Sequence, residues 1–496
     1  MNKEPIDGKG GASVAKSLRW VGFAKYTTLG ARLGISLVMA RLLAPELFGI
    51  IEMAYTFFMF AKLMRGFSIA EIIVQRDTID QRTLSTLYWL NLGICSAATF
   101  LLLCLSPVAA LMYANPMVGW VAAALSICFL LEGMSLVSQS LLQRDMNFYA
   151  IGIREIAEVV VMGVVSVALA VVGFGVWAIV LGTLASLVAR NVTLYLVRPF
   201  APSRVFDRDV LKSSFGFAAN MSGVKFLGYL RQNFDKILIS VVLGASAVGF
   251  YGVSRKLVLF PHESVTQIVN RVASRRFARA QKNASEISDL YLRAIGATAI
   301  LIVPIYVALS VFAYELVPLL LGHQWHESIP LVQVLAFSAM ISTLSTVKHR
   351  VAIACGKPNV LLRSNLVRLV ISCTMTSVAI GWGLTAVAWA LLFATLIGWF
   401  VENRIIFVDL PGISLFRQFE QLRKPMLAAS LGGVAALLLK AAISGMAFSA
   451  LSVVCICLPS MVFTYTIVLR VLQPTGLIDL AEVGPPRLRR FFCAST

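Results

Sequence analysis

The sequence predicts an all-α, polytopic membrane protein of about 14 transmembrane helices, built as two six-helix lobes around a central cationic cavity with two extra C-terminal helices. Three observations carry that expectation. Of the 496 residues, 58% are hydrophobic and 14% charged, against about 25% charged in a soluble domain. Mean hydropathy is +0.83. Apolar runs of 18 residues or more recur along the whole chain, and a shift of 200 residues lays the first two runs onto the seventh and eighth. This composition excludes a soluble enzyme, a disordered protein, a secreted disulfide scaffold and a collagen-like chain.

Taken in order, the apolar runs place spans at 18–40, 47–70, 84–106, 117–140, 152–173, 176–197, 215–243 and 248–270. Six more follow at 294–321, 330–354, 361–381, 383–407, 425–444 and 446–470. Gly173-Phe174-Gly175 and Gly381-Trp382-Gly383 read as very short external turns. The corresponding organisation is a tail at 1–17, an N-lobe at 18–200, a C-lobe at 201–410, two further spans at 411–471 and a tail at 472–496.

The formal charge of +19 is first a topology signal. Arg271, Arg275, Arg276, Arg279, Lys282 and Arg293, the segment from Arg190 to Lys212, and Arg423-Lys424 fall on the side of the two tails. Only Arg41 and Lys440 are assigned to the other side. An even span count and the positive-inside rule then place both termini in the cytoplasm. Nucleic acid is not an expected partner. Lys25 and Arg32 interrupt the first apolar run, which argues against a removable signal peptide. The eight cysteines lie almost entirely in apolar runs without framework spacing and read as small buried hydrophobes.

The cations left within the spans are Lys25, Arg32, Lys62, Arg65, Lys225, Arg231, Lys236, Arg255 and Lys256, assigned to spans 1, 2, 7 and 8. Each costs about 2.5–3.5 kcal/mol at a helix centre on insertion scales. Their clustering predicts a shared hydrated cationic space. Snorkelling to the headgroups is the competing reading for Lys25, Lys62, Arg65 and Lys236, which lie nearer span ends. Arg231 and Asp235 stand four apart and can pair on one helix. The 200-residue shift also aligns Lys25 with Lys225, Leu43 with Leu243, Gly49 with Gly249 and Phe60 with Phe260. It matches Ala44-Pro45-Glu46-Leu47-Phe48-Gly49 to Gly244-Ala245-Ser246-Ala247-Val248-Gly249, a short hairpin closed by glycine.

Catalytic motifs are not expected. The chain has no phosphate-binding Gly-x-x-x-x-Gly-Lys-Ser/Thr run. Asp207-Arg208-Asp209 lies in a short loop with no nucleotide-binding domain around it, and His323-x-x-His326 reads as an interfacial turn. No external loop is large enough for a polymerase or ligase site. The expectation is a non-enzyme with no cofactor and no metal. A basic membrane interior suits an amphiphile with an anionic head, because arginine and lysine bind phosphate through charge-assisted hydrogen bonds.

Ala40-Arg41-Leu42-Leu43-Ala44-Pro45-Glu46-Leu47-Phe48-Gly49, followed by Ala70-Glu71-Ile72-Ile73-Val74-Gln75-Arg76, resembles the opening of the bacterial polysaccharide transporter family. Asn233-Phe234-Asp235-Lys236-Ile237-Leu238-Ile239, Leu243-Gly244-Ala245 and Gly249-Phe250-Tyr251 resemble its second-lobe signature. Within that family the chain is most similar to colanic acid and succinoglycan exporters, relatives of the Wzx-type flippases in the larger group that includes MATE exporters. The resemblance covers about residues 15–410. It implies a bacterial inner-membrane flippase that moves undecaprenyl-pyrophosphate-linked repeat units to the periplasmic leaflet by alternating access. Its implied partners are the lipid-linked oligosaccharide, the membrane and a polysaccharide polymerase or co-polymerase complex.

By the same resemblance Lys25, Arg32, Lys225, Arg231, Arg255 and Lys256 line the cavity, and the reading of the in-span charges adds Lys62, Arg65 and Asp235 to the expected substrate-binding set. Gly252-Val253-Ser254-Arg255-Lys256 stands where relatives often have Tyr-Ser-Leu-Ala-Tyr-Arg, which leaves open which cation is the equivalent one. Three alternatives stay open at this point. A MATE-like drug or ion antiporter would use embedded acids such as Glu52, Glu132, Glu158, Asp235 and Glu315. A lipid II flippase shares the same physics, and a silent scaffold needs no cavity.

Overall fold

The computed structural model describes residues 27–63, 69–75, 79–205, 207, 228–230, 232–280, 283–355, 358–407, 413–445 and 448–472. Every regular element among them is helical. Hydrocarbon offers no partner for backbone N–H and C=O groups, so a spanning segment must satisfy them internally. The helices are α1 (27–42), α2 (Pro45–Lys62), α3 (Ile69–Gln75), α4 (Gln81–Met112), α5 (Pro116–Arg144), α6 (Phe148–Val171), α7 (Val176–Val197) and α8 (232–242). They continue as α9 (Gly244–Ala280), α10 (Ala284–Val311), α11 (Ala313–Leu321), α12 (Ser328–Ala354), α13 (Pro358–Ala379), α14 (Leu384–Phe407), α15 (Leu415–Ile443) and α16 (Ala450–Leu472). Among the described residues, nine helices are long and apolar enough to cross a membrane.

Where the expected spans fall on described residues the chain is helical, and one of them is divided. The span expected at 294–321 is two helices, α10 and α11, which meet at Phe312. The Phe312 N–H returns to the Ala308 carbonyl at 2.9 Å, and its buried ring packs with Ala436, Cys457 and Met461, which anchors the break. Residues 18–26 of the first expected span, 64–68 of the second, 215–227 and 231 of the seventh and 446–447 of the last lie outside the described residues. The two glycine turns form as expected: Gly173 and Gly175 have φ of +92° and +56°, and Gly383 has +93°. Helix starts follow local chemistry. Asp80, Asn115, Asn147, Asn283 and Ser414 each accept a backbone N–H from the first turn of α4, α5, α6, α10 and α15.

The chain divides into two compact units. The first holds α1–α7, Tyr229 and residues Gly244–Gly249. Within it α4 packs on α5 and α6 on α7 through small and polar residues, as lipid-embedded helices do. Asn91 donates to the Gly133 carbonyl at 2.9 Å, and Thr99 to the Ser126 carbonyl at 3.1 Å. Pro45–Gly49 and Ala245–Gly249 meet in a reciprocal way. A Cβ on Gly49 would stand 1.8 Å from the Ala245 oxygen, and one on Gly249 would stand 2.1 Å from the Pro45 oxygen. These are the residues that the 200-residue shift equates, so two repeat-related hairpins cross backbone to backbone.

The second unit holds Leu230–Leu243 and the chain from Phe250 onward. Here α10 is central, packing against α12 and α15. Buried tyrosines place their hydroxyls on backbone or amide oxygens: Tyr306 on Val258 at 2.9 Å, Tyr465 on Ile300 at 2.7 Å and Tyr291 on Gln418 at 2.9 Å. Each satisfies a polar group that would otherwise be stranded in an apolar interior. The α13–α14 and α15–α16 hairpins complete the unit.

The crossing glycines generate a prediction. Gly49→Ala and Gly249→Ala each force backbone apart and lower stability by about 1–3 kcal/mol. Together they fall short of the sum, because they disturb one contact. Gly30→Ala, where a Cβ meets nothing within 4 Å, is neutral or slightly stabilising. Thermal unfolding of the purified full chain in detergent measures all four.

Candidate functional site

The second unit lines an open cavity of about 430 Å³ with residues of α8, α9, α12, α13 and α14. Its polar lining includes Gln232 and Asp235 from α8, Arg255 and His262 from α9, Ser338 and Ser342 from α12, Arg368 from α13 and Thr395 from α14. Asp235 is buried and sits opposite α9. Arg255 Nη1 lies 2.7 Å from Asp235 Oδ2, and the Tyr251 hydroxyl donates to the same oxygen. Tyr251 and Arg255 stand four apart on α9, so one face of that helix delivers both groups to one carboxylate. The guanidinium also lies 5.9 Å from the Tyr251 ring centre, within cation–π range. Asp235 therefore orients Arg255 and offsets the cost of burying it.

Across the cavity, Arg368 Nη1 is 2.9 Å from Glu402 Oε1. Glu402 is buried on α14 and also faces Lys348 Nζ at 3.4 Å and His349 Nε2 at 3.3 Å. Lys348 is fully buried, donates to the Trp399 carbonyl at 3.2 Å and lies 4.8 Å over the Trp399 ring. Sequence reasoning missed this group. Its signal was available as Lys348, Arg368 and Glu402 inside apolar runs, but nothing local says that the three runs meet.

A second charge cluster lies in the first unit. Arg32 Nη2 is 3.0 Å from Glu158 Oε1, and Arg154 Nη1 is 3.2 Å from Glu158 Oε2. Arg154 also reaches Glu155 Oε1 at 3.1 Å. The expectation that in-span cations are confined to spans 1, 2, 7 and 8 is corrected by these residues. Arg154, Lys348 and Arg368 belong to α6, α12 and α13, where a facing carboxylate makes each tolerable.

The expected site residues are placed unevenly. Asp235 and Arg255 line the cavity of the second unit. Lys256, the next residue on α9, is exposed. Arg32 belongs to the Glu158 cluster, and exposed Lys62 sits 5.9 Å from the Phe58 ring centre. Lys25, Arg65, Lys225 and Arg231 lie outside the described residues, and with Arg231 goes the expected pair to Asp235.

Residues 38–330, more than half of the chain, match the family of polysaccharide biosynthesis proteins. The chain belongs to that family. It is 26% identical over 332 residues to the succinoglycan biosynthesis transport protein ExoT of Rhizobium meliloti, covering 67% of each chain. The teichuronic acid biosynthesis protein TuaB of Bacillus subtilis is 25% identical over 381 residues, 76% of this chain and 78% of that one. The lipopolysaccharide biosynthesis protein WzxC of Escherichia coli is 24% identical over 332 residues, 66% of this chain and 67% of that one.

Among solved structures, the lipid II flippase MurJ in an inward closed conformation gives a TM-score of 0.74 at 11% identity, covering 91% of this chain and 98% of that one. An inward-facing multidrug resistance MATE family transporter of the MOP superfamily gives 0.63 at 14% identity, covering 76% and 94%. At such identities the likeness is one of fold. The family member is thus a multi-pass membrane protein with the fold shared by MurJ and MATE transporters.

The Asp235–Arg255 pair predicts an asymmetry. Arg255→Gln leaves a buried carboxylate without its cation and costs about 3 kcal/mol. Asp235→Asn leaves a guanidinium facing a polar cavity and costs about 1 kcal/mol. Thermal unfolding of the two full-length variants checks the order.

Proposed function

We propose that the protein is an inner-membrane flippase and exporter. It moves undecaprenyl-pyrophosphate-linked oligosaccharide repeat units to the periplasmic leaflet for exopolysaccharide synthesis. Support comes from membership of the polysaccharide biosynthesis family and the similarity to ExoT. The observation that carries the chemistry is a polar cavity with arginines on its wall inside a membrane-embedded unit. In this reading Arg255 and Lys256, with Lys25, Arg32, Lys62, Arg65, Lys225 and Arg231, bind the anionic head, and Asp235 orients Arg255.

The physics of the step is an exchange of solvation. A pyrophosphate leaving water needs donors that replace its hydration shell, and guanidinium groups supply them in pairs. The sugar is shielded by serine, threonine and amide groups while the polyprenyl tail stays in lipid. Carrying negative charge outward runs with an inside-negative membrane potential, worth about 2.3 kcal/mol per charge per 100 mV. Alternating access between the two repeats, with both termini cytoplasmic, completes the cycle. The 200-residue repeat and its reciprocal glycine contact support two lobes at 18–200 and 201–410, followed by two further helices. A polymerase or co-polymerase complex would take the cargo on the periplasmic side.

The deciding measurement is the leaflet location of pyrophosphate-linked oligosaccharide in cells lacking the protein and in cells carrying Arg255→Gln or Arg231→Gln. Cytoplasmic-side accumulation in the deletion strain and in each variant is expected, with at least about a tenfold loss of transport for Arg255→Gln. Normal translocation in the deletion strain would remove the flippase reading.

A further inference from the structure

Among the described residues, two arginines line the cavity of the second unit, and their counter-charges differ. Arg255 is matched by Asp235, a carboxylate that also accepts from Tyr251. Arg368 shares its carboxylate. Glu402 Oε1 takes Arg368 at 2.9 Å while Oε2 faces the Lys348 ammonium at 3.4 Å. Two cations on one carboxylate leave one positive charge in surplus, and His349, 3.3 Å from Oε1, adds to it when protonated. The remaining acid on the cavity wall among the described residues, Glu263, is exposed and screened by solvent. His262 is engaged with Thr343 at 2.9 Å.

The surplus has one outlet. The Lys348 and Glu402 side chains are 0% and 1% exposed, so neither meets a ligand. Arg368 is the member of the group that lines the cavity. Its stem lies against α14 at Gly398, where an added Cβ would stand 3.1 Å from Arg368 Cγ and 3.5 Å from Nε. Glycine there lets the guanidinium be held at its root by the helix and at one nitrogen by Glu402. A donor fixed in this way loses little rotamer entropy when it binds, and its field needs no reorganisation.

We propose that Arg368 is the primary oxyanion-binding residue of this cavity, with Glu402, Lys348 and His349 acting behind it as positioning residues. The ligand is a tetrahedral or planar oxyanion of the cargo, a pyrophosphate or the carboxylate of an acidic sugar. This rests on the flippase reading. It shifts the main contact from the charge-matched Arg255 to a residue in a different helix.

The test is binding to the purified full chain in lipid nanodiscs. The probes are undecaprenyl pyrophosphate without sugar, a phosphate-free polyprenyl glycoside bearing a uronic acid, and its uncharged counterpart. Arg368→Gln weakens at least one charged probe by about tenfold or more, beyond the effect of Arg255→Gln, and leaves the uncharged probe unaltered. The charged probe that weakens identifies the source of the oxyanion. Arg368→Lys recovers part of the loss. Gly398→Val displaces the Arg368 stem and weakens the same probe.

The charge count gives an ordering that a merely structural role would not. Lys348→Met removes the surplus and weakens binding nearly as far as Arg368→Gln, although Lys348 touches no ligand. Lys348→Met combined with Glu402→Gln restores the surplus on Arg368 alone and returns affinity to within about threefold of the unmodified protein. If the unmodified protein binds neither charged probe, the flippase reading itself fails. If it binds but Arg368→Gln binds equally well, or the double variant stays as weak as Lys348→Met, this inference falls and the flippase reading stands.

Discussion

A carboxylate buried in a membrane interior needs a cation beside it, and this constraint decides which helices of the protein are neighbours. Glu158 on α6 is bracketed by Arg154 and by Arg32 from α1. Asp235 on α8 is held by Arg255 from α9. Glu402 on α14 draws in Lys348 from α12 and Arg368 from α13. Glu315 on α11 meets Lys440 from α15. Each acid joins at least two helices, so a packing mistake that parted them would strand a charge. Van der Waals contact between apolar helices in lipid has no such penalty for sliding. The ion pairs therefore supply register, while glycine and serine contacts supply closeness.

The same constraint gives the cavity its chemistry. Neutralised pairs make burial tolerable, but a pair alone offers little to an incoming anion. The Arg255–Asp235 arrangement is close to balanced, whereas the Lys348–Glu402–Arg368 group is not. A membrane protein that handles an anionic amphiphile needs both conditions together: enough carboxylate to keep arginines folded inward, and one cation too many.

How much of this could be read from the sequence follows from the range of each interaction. Spans were legible because twenty consecutive apolar residues carry their own signal, and so were the turns at Gly173–Gly175 and Gly381–Gly383. The Gly49 and Gly249 match was legible as a repeat, but its meaning was not. Only the structure brings the two glycines onto each other's hairpins. The break at Phe312 was hidden because Phe312 continues the apolar run and is anchored by residues more than a hundred positions away, on α15 and α16. The Asp235–Arg255 pair spans twenty residues across a helix junction, so a same-helix rule points to Arg231 first. The Glu402 group escaped for a stronger reason. Its cations lie inside runs whose apolar residues outweigh a single charge, and its acid lies fifty residues or more from Lys348 and His349.

The buried acids also bear on the antiporter alternative, which the fold alone does not address because flippases and drug exporters share it. A cation-coupled exporter needs an embedded carboxylate that can release a bound proton or metal ion during the cycle. Glu158, Asp235, Glu315 and Glu402 are each within ion-pair distance of a lysine or arginine. A resident ammonium or guanidinium stabilises the charged carboxylate and fills the place that a coupling cation would take. To free any of these acids the protein would have to leave its partner cation unneutralised. An incoming oxyanion is the species that can neutralise it, so these four acids suit an anionic partner better than a coupling cation, an argument that does not extend to Glu52 and Glu132.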